Sequence, residues 1–418
     1  MKNKMKILAV LLVMVGLVAF ESCKEEDPTP LDVVSATAGD ADLNGATSPS
    51  NVAVGATITV TFTTNVDATT ATTSNITLVR DYDKVAIPFT VTTTGPTVTI
   101  DPTNDLNTGA LFLLTLTANL KSDKGLSLTQ VSRNFTTAGT FAPDGAIAYW
   151  TFEDNANDVV STFDPAASAV IGITYVDGRK STAGKAASFN GTTSIIEIAN
   201  GDKLMNNGDW TTSFWVKAIS TGKTSGHFVF GLGAFYGFQF EIGGDFGFCK
   251  LATSYAHTKE VNGGTSEDMF LNGDGKFKDN GGWQGHDFNK DLTASGGVAG
   301  LLKDKWAHVV FTYNATSKQG IFYINGEKMK SQDFDLWPDG DAKRLVTGTK
   351  YRGVAPEVVN ELAFGFVQSR AGTLWDAEDW GGFDKPGANH FKGLLDDVHF
   401  YKKVITPAEI TLMYNSGK

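Results

Sequence analysis

Thr57-Ile58-Thr59-Val60-Thr61-Phe62 places every apolar residue on one parity and every threonine on the other. Side chains of an extended chain alternate between faces with a period of two, so this run predicts a strand with one buried and one wet face. Thr97-Val98-Thr99-Ile100 repeats the pattern, and Leu111 to Thr117 follows it less strictly. Asn107-Thr108-Gly109 and Asp123-Lys124-Gly125 supply turn chemistry between such runs. Strands of this kind across residues 32–140 predict a β-sandwich. Over the whole chain Gly is abundant, with 45 residues, Thr-Val-Phe alternation recurs, and long stretches of 3.6 period are scarce. The fold class expected is all-β.

The chain has 418 residues, enough for two or three domains. Lys2, Lys4 and Lys6 precede an apolar run from Ile7 to Phe20 that ends in Glu21-Ser22-Cys23. A basic start followed by an apolar run of that length reads as a secretory signal over residues 1–22. Removing those residues takes away three lysines and one glutamate and moves the formal charge from −11 to −13. An acidic surface argues against nucleic acid or an anionic bilayer as partner. The two cysteines, Cys23 and Cys249, offer no disulfide framework, and Cys249 in Phe246-Gly247-Phe248-Cys249 reads as a small buried hydrophobe. Residues 23–31, with Pro28 and Pro30, form a polar tether.

Three resemblances sharpen this reading. A cysteine directly after the apolar run resembles the lipobox of bacterial lipoproteins, although Phe20-Glu21-Ser22 departs from the usual small-residue triplet. Lys24-Glu25-Glu26-Asp27 resembles the export signal of surface lipoproteins in Bacteroidota. This resemblance implies lipidation at Cys23 and a cell-surface place on the outer membrane, with the lipid as the only membrane attachment. Residues 32–140 resemble bacterial Ig-like domains through Ile58 to Asp67, Thr97 to Pro102, Leu106 to Gly109 and Asn134-Phe135-Thr136-Thr137. Such domains are usually spacers.

Composition changes near Thr140 to Gly145, since all eight tryptophans and all six histidines follow it. Residues 143–418 resemble the laminin-G-like, concanavalin-A-type jelly rolls. The matching segments are Ile147 to Asp154, Gly184 to Gly191, Ser194 to Ile198, Trp210 to Lys217, Lys305 to Tyr313, Phe322 to Glu327 and Gly393 to Tyr401, in the family's order. Asn325-Gly326 supplies the positive φ of a tight hairpin turn. Thr406-Pro407-Ala408-Glu409 is a capping box that opens a short C-terminal helix. The family's arrangement makes the first and last strands neighbours. The domain is longer than a minimal jelly roll, with the excess at about 253–302 and 331–390. Long loops in a compact domain are more often functional than idle.

Folds of this type host lectins and glycanases, so residues must decide. The E-x-D-x-x-E run of laminarinase-type glucanases is absent, as are G-x-S-x-G and H-E-x-x-H. Trp375-Asp376-Ala377-Glu378-Asp379-Trp380 has different spacing, although an extended chain would put Asp376 and Glu378 on one face. In the closing strand Asp396 shares parity with Val398 and Phe400, which would turn a carboxylate toward the core. Such a group needs a partner or a cation. The resemblance implies a structural Ca²⁺ held by Asp396, the backbone of Gly191 and a group near Glu153. Hydrogen bonds from loop amides to Asp396 are the alternative.

Aromatic rings beside amides and acids suit the apolar faces and hydroxyls of sugars. Gly281 to Asp287 and Trp375 to Asp384 have that make-up. The residues expected to bind glycan are Trp283, His286, Trp375 and Trp380, with Trp337 a weaker candidate. Trp150, Trp215 and Trp306 lie in motif strands and read as structural. The function expected is a non-catalytic surface lipoprotein that binds polysaccharide or glycoconjugate, working beside outer-membrane uptake proteins. An adhesin for a protein partner and a divergent polysaccharide hydrolase or lyase are the alternatives.

Overall fold

In the computed structural model the described residues are 29–418, so the signal segment, Cys23 and most of the tether lie outside them. They divide into two compact units. The smaller comprises the chain up to Leu106 together with Leu111–Thr136; the larger comprises Asn107–Ala110 and Thr137–Lys418.

The smaller unit is a sandwich of a five-stranded and a three-stranded antiparallel sheet. Its centre is the strand Ile58–Phe62, which buries Ile58, Val60 and Phe62 and leaves its threonines half-exposed, as its alternation requires. Val98 and Ile100 come from the neighbouring strand, and Leu78, Phe112, Leu114 and Phe135 come from the facing sheet. Phe112 and Phe135 stack at 5.6 Å.

The larger unit packs an eight-stranded sheet against a nine-stranded one. The nine-stranded sheet holds the strands Lys185–Asn190, Trp210–Ala218, Ala307–Asn314, Gln319–Ile324 and Lys392–Tyr401, each overlapping one of the matching segments. The first strand, Ala146–Trp150, pairs with the closing strand through Trp150 and Val398. Asn325 and Gly326 both have positive φ, the turn geometry whose twist suits a two-residue hairpin. Between the sheets lie Trp150, Trp210, Phe214, Phe230, Phe238, Phe240, Phe364 and Phe400, many of them edge-on to one another. Cys249 is fully buried in this core, and burial raises its thiol well above the ordinary range.

The long segments are more than loop. Residues 253–302 include most of the strand Cys249–His257 and all of Gly264–Leu271, His286–Asn289 and the short helix Ala299–Leu302. Residues 331–390 carry Val346–Thr349 and Leu362–Phe364. Gly264–Leu271 is the edge strand of the eight-stranded sheet, and His286–Asn289 is the edge strand of the other. Both edges contribute to the site described below.

The expected orientation of Asp396 needs correction. Asp397 has a φ of +46° and the register slips there: Ser213 pairs with His399, but Trp215 pairs with Asp396. One extra residue on the closing strand makes a β-bulge that reverses parity across it. Leu395, Val398 and Phe400 all enter the core, while Asp396 turns to the opposite face of the sheet.

Candidate functional site

A cleft of about 760 Å³ opens where the edges of the two sheets meet. Gly264–Leu271 brings Ser266, Glu267, Asp268 and Phe270 to it, and the turn beyond brings Asn272, Asp274 and Lys276. Lys330 and His286 come from adjacent strands of the other sheet, and Trp283 from the loop before His286. Phe235, from a single 3₁₀ turn, completes the rim.

Three aromatic side chains stand open at this cleft: Trp283 is 59% exposed, Phe235 40% and Phe270 37%. Each is held from behind. The Trp283 indole nitrogen donates to Glu267 Oε1 at 3.2 Å, Phe270 stacks on Phe248 at 4.8 Å, and Phe235 stacks on Tyr236 at 5.4 Å. The loop carrying Trp283 is shaped by Asn280, whose side chain accepts from Phe277 N at 2.6 Å and donates to Gly275 O at 3.0 Å.

Polar groups line the interior. Glu267 Oε2 accepts from Lys343 Nζ at 2.5 Å, and burial keeps the carboxyl above its usual range despite that pairing. Lys330 donates to Phe270 O at 2.5 Å, across from one sheet to the other, and burial draws its ammonium down to about 8. Asp274 accepts from Lys276 N at 2.9 Å and from Asn289 Nδ2 at 2.7 Å. His286 is buried and neither ring nitrogen has a hydrogen-bond partner. Desolvation holds its imidazole down at about 3, so the ring is neutral at ordinary pH.

The cleft thus brings Trp283 and His286 together. Trp337 stands behind it instead. Lys343 lies 4.2 Å over its ring, and a Cβ on Gly285 would come within 2.5 Å of its indole nitrogen, so only glycine lets the Trp283 loop close on it. Trp375 and Trp380 lie elsewhere, 5.1 Å from each other, with Trp380 edge-on to Phe228. Phe228, Ile195, Phe366 and Val367 form a separate apolar cluster against which Trp375 packs. These two indoles cover the apolar cluster beneath their own loop, and a 5.7 Å edge contact between Trp375 and Phe235 links them to the cleft rim.

Sequence reading did not single out Glu267, Lys330, Lys343, Phe235 or Phe270. For Glu267 a signal exists: it shares strand parity with the buried Met269 and Leu271.

The expected calcium ligands are not gathered. Asp396 is ion-paired with the Arg179 guanidinium, which also reaches Asp397 Oδ2 at 2.5 Å and lies 4.6 Å over the Trp215 ring. Burial and the adjacent Asp397 push the Asp396 carboxyl up, and Arg179 opposes them. Gly191 follows Asn190, which pairs with Lys392, four residues along the strand from Asp396. Glu153 accepts from the backbone N–H of Lys185 at 3.0 Å. Among the described residues no group of three or more His, Cys, Asp or Glu side chains is placed to hold a metal. An arginine supplies a positive charge at Asp396, whose Oδ1 is buried without a hydrogen-bond partner, and the charge of Glu153 also acts on that carboxyl.

Residues 27–137 match the family model described as bacterial Ig-like domain, and residues 189–358 match the concanavalin A-like lectin/glucanases superfamily. No curated protein matches the chain. Among solved structures, the binding domain of Paraclostridial Mosquitocidal Protein 1 aligns at 16% identity and a TM-score of 0.40, over 65% of this chain and 52% of that one. The Botulinum neurotoxin serotype D ligand binding domain, solved with N-acetylneuraminic acid, aligns at 14% identity and a TM-score of 0.40, over 65% and 51%. The chain spans about half the length of these structures. The chain carries a bacterial Ig-like domain followed by a domain that matches the concanavalin A-like lectin/glucanases superfamily.

Proposed function

We propose that the larger unit binds glycan in the cleft between the sheet edges, without catalysis, and that the Ig-like domain acts as a spacer. The observation that carries this is the ring of three exposed aromatics, Trp283, Phe235 and Phe270, around an interior of carboxylates, amines, an amide and an imidazole. Aromatic faces accept the C–H faces of sugars, while the polar groups fix the hydroxyls. The superfamily description, which spans lectins and glucanases, is consistent with a carbohydrate ligand. The signal-like start and Cys23 support lipid anchoring at the outer-membrane surface, beside uptake proteins that would take the captured polysaccharide.

The test is a glycan array and calorimetry on soluble chain beginning after Cys23. Trp283→Ala should weaken binding at least tenfold while leaving the melting temperature nearly unchanged. Failure of every glycan to bind, with a protein partner captured through the same residues, would favour the adhesin reading. Glycan cleavage lost in Glu267→Gln would make the domain an enzyme.

A further inference from the structure

We infer that the cleft selects neutral saccharides, with the imidazole of His286 reading the ligand's hydroxyls, and rejects uronate, sialylated and sulfated glycans. This rests on the glycan reading above.

The charges of the lining balance: Glu267, Asp268 and Asp274 face Lys276, Lys330 and Lys343. The two deeper amines are already engaged. Lys343 is paired with Glu267, and Lys330 gives one of its three donors to the carbonyl of Phe270 under the opposing charges of Asp274 and Glu267. An anionic ligand that recruited Lys343 would strip Glu267 of its ion-pair partner in a buried setting, where an unpaired carboxylate is costly. If the anion left that pair intact, it would lie among three carboxylates. Of the lining amines, Lys276 stands on the exposed side of the cleft, where solvent weakens its attraction. A neutral ligand disturbs none of these pairings.

His286 supplies the positive half of the argument. It lines the cleft at 2% exposure, and both ring nitrogens lack partners. A neutral imidazole presents one donor and one acceptor on nitrogens that point away from each other, and a sugar hydroxyl, being both donor and acceptor, can complete either of them. Burying two unsatisfied polar atoms is unfavourable unless something completes them. A carboxylate or sulfate presents acceptors only and would leave the unprotonated nitrogen facing another acceptor.

The experiment is calorimetric titration with two sets of hexasaccharides. The neutral set comprises gluco-, manno- and xylo-oligomers; the acidic set comprises galacturonate and chondroitin sulfate oligomers, with sialyllactose added. The expected result is binding within the neutral set and at least a hundredfold weaker binding across the acidic set. His286→Phe should weaken neutral binding at least tenfold, and His286→Gln, which restores a donor and an acceptor, should recover part of it. Should either variant fold poorly, the imidazole nitrogen NMR shifts of the unaltered protein decide the same point. They should move on adding the neutral ligand and retain a neutral-ring pattern. Preferred binding of acidic oligomers, or unmoved His286 shifts with a neutral ligand bound, would overturn this inference and leave glycan binding standing. No binding by either set would remove the glycan reading, and this inference with it.

Discussion

The exposed ring of Trp283 is oriented by a buried acid: its indole nitrogen donates to Glu267 Oε1 at 3.2 Å, and the other carboxylate oxygen is held by Lys343. A side chain that would otherwise lose rotamer freedom on binding is therefore already fixed. Glu267→Gln keeps an acceptor for the indole and should change glycan affinity less than threefold. Glu267→Leu removes that acceptor and should weaken binding about tenfold, or about 1.4 kcal/mol. Titration calorimetry on the two variants separates orientation from charge.

Trp375 and Trp380 should behave in the opposite way to Trp283. Trp375 packs on the apolar cluster around Phe228 and Phe366. Trp375 is half-buried, so Trp375→Ala should cost stability, though less than the scale of about 3–5 kcal/mol for a fully buried aromatic. Intrinsic affinity, measured well below the melting transition, should be nearly unchanged. Trp380, still 37% exposed, should cost less. A strong binding defect with an intact melting curve would place these indoles in the site after all.

Arg179 bridges two carboxylates and also donates to Gly417 O at 2.6 Å, tying the closing strand to the end of the C-terminal helix Pro407–Gly417. Arg179→Ala should destabilise the larger unit by about 3–5 kcal/mol, the scale for breaking a buried ion pair. Lysine at this position should recover only part, because an ammonium lacks the planar fork. Chelator should leave the melting temperature of the unaltered protein in place. A fall in chelator would point to a bound cation that the Arg179 pairing does not explain.

Burial holds five imidazoles of the larger unit below the ordinary histidine value of 6.5: His227 and His399 at about 4, His286 and His308 at about 3, and His390 below the ordinary range. Each takes up a proton on unfolding at any pH between those limits. Its contribution to stability is therefore complete above about 6.5 and declines as pH falls toward the folded value. His308 shares a 2.9 Å hydrogen bond with Ser213 Oγ, and glutamine can keep such a bond. His308→Gln should flatten the pH dependence of unfolding free energy between pH 4 and 6 by about one proton, about 1.4 kcal/mol per pH unit. Urea unfolding across that range measures it; an unaltered slope would mean that His308 is already charged in the folded state.

The strands were legible wherever one face is buried. Ile58, Val60 and Phe62 alternate with threonine, and Asn325-Gly326 announces its hairpin. Trp283 and His286 were legible because glycine neighbours leave an aromatic little local packing. Glu267 was hidden because Gly264–Leu271 is rich in polar residues and its inward parity is marked only by Met269 and Leu271. Lys330, Lys343 and Phe235 are far apart in sequence and meet only when two sheet edges approach. Asp396 was misread for a sharper reason. A bulge inserts one residue into the ladder, and parity counted along a single strand cannot reveal it; only the register against Trp210–Ala218 does.

Because the cleft is walled by an edge strand from each sheet, any ligand held there would touch both halves of the sandwich. Capture and mechanical resistance become the same event. At a ligand concentration about 100 times its dissociation constant the folded domain gains about 2.7 kcal/mol. A binding domain built this way would be hardest to pull open while its cleft is filled.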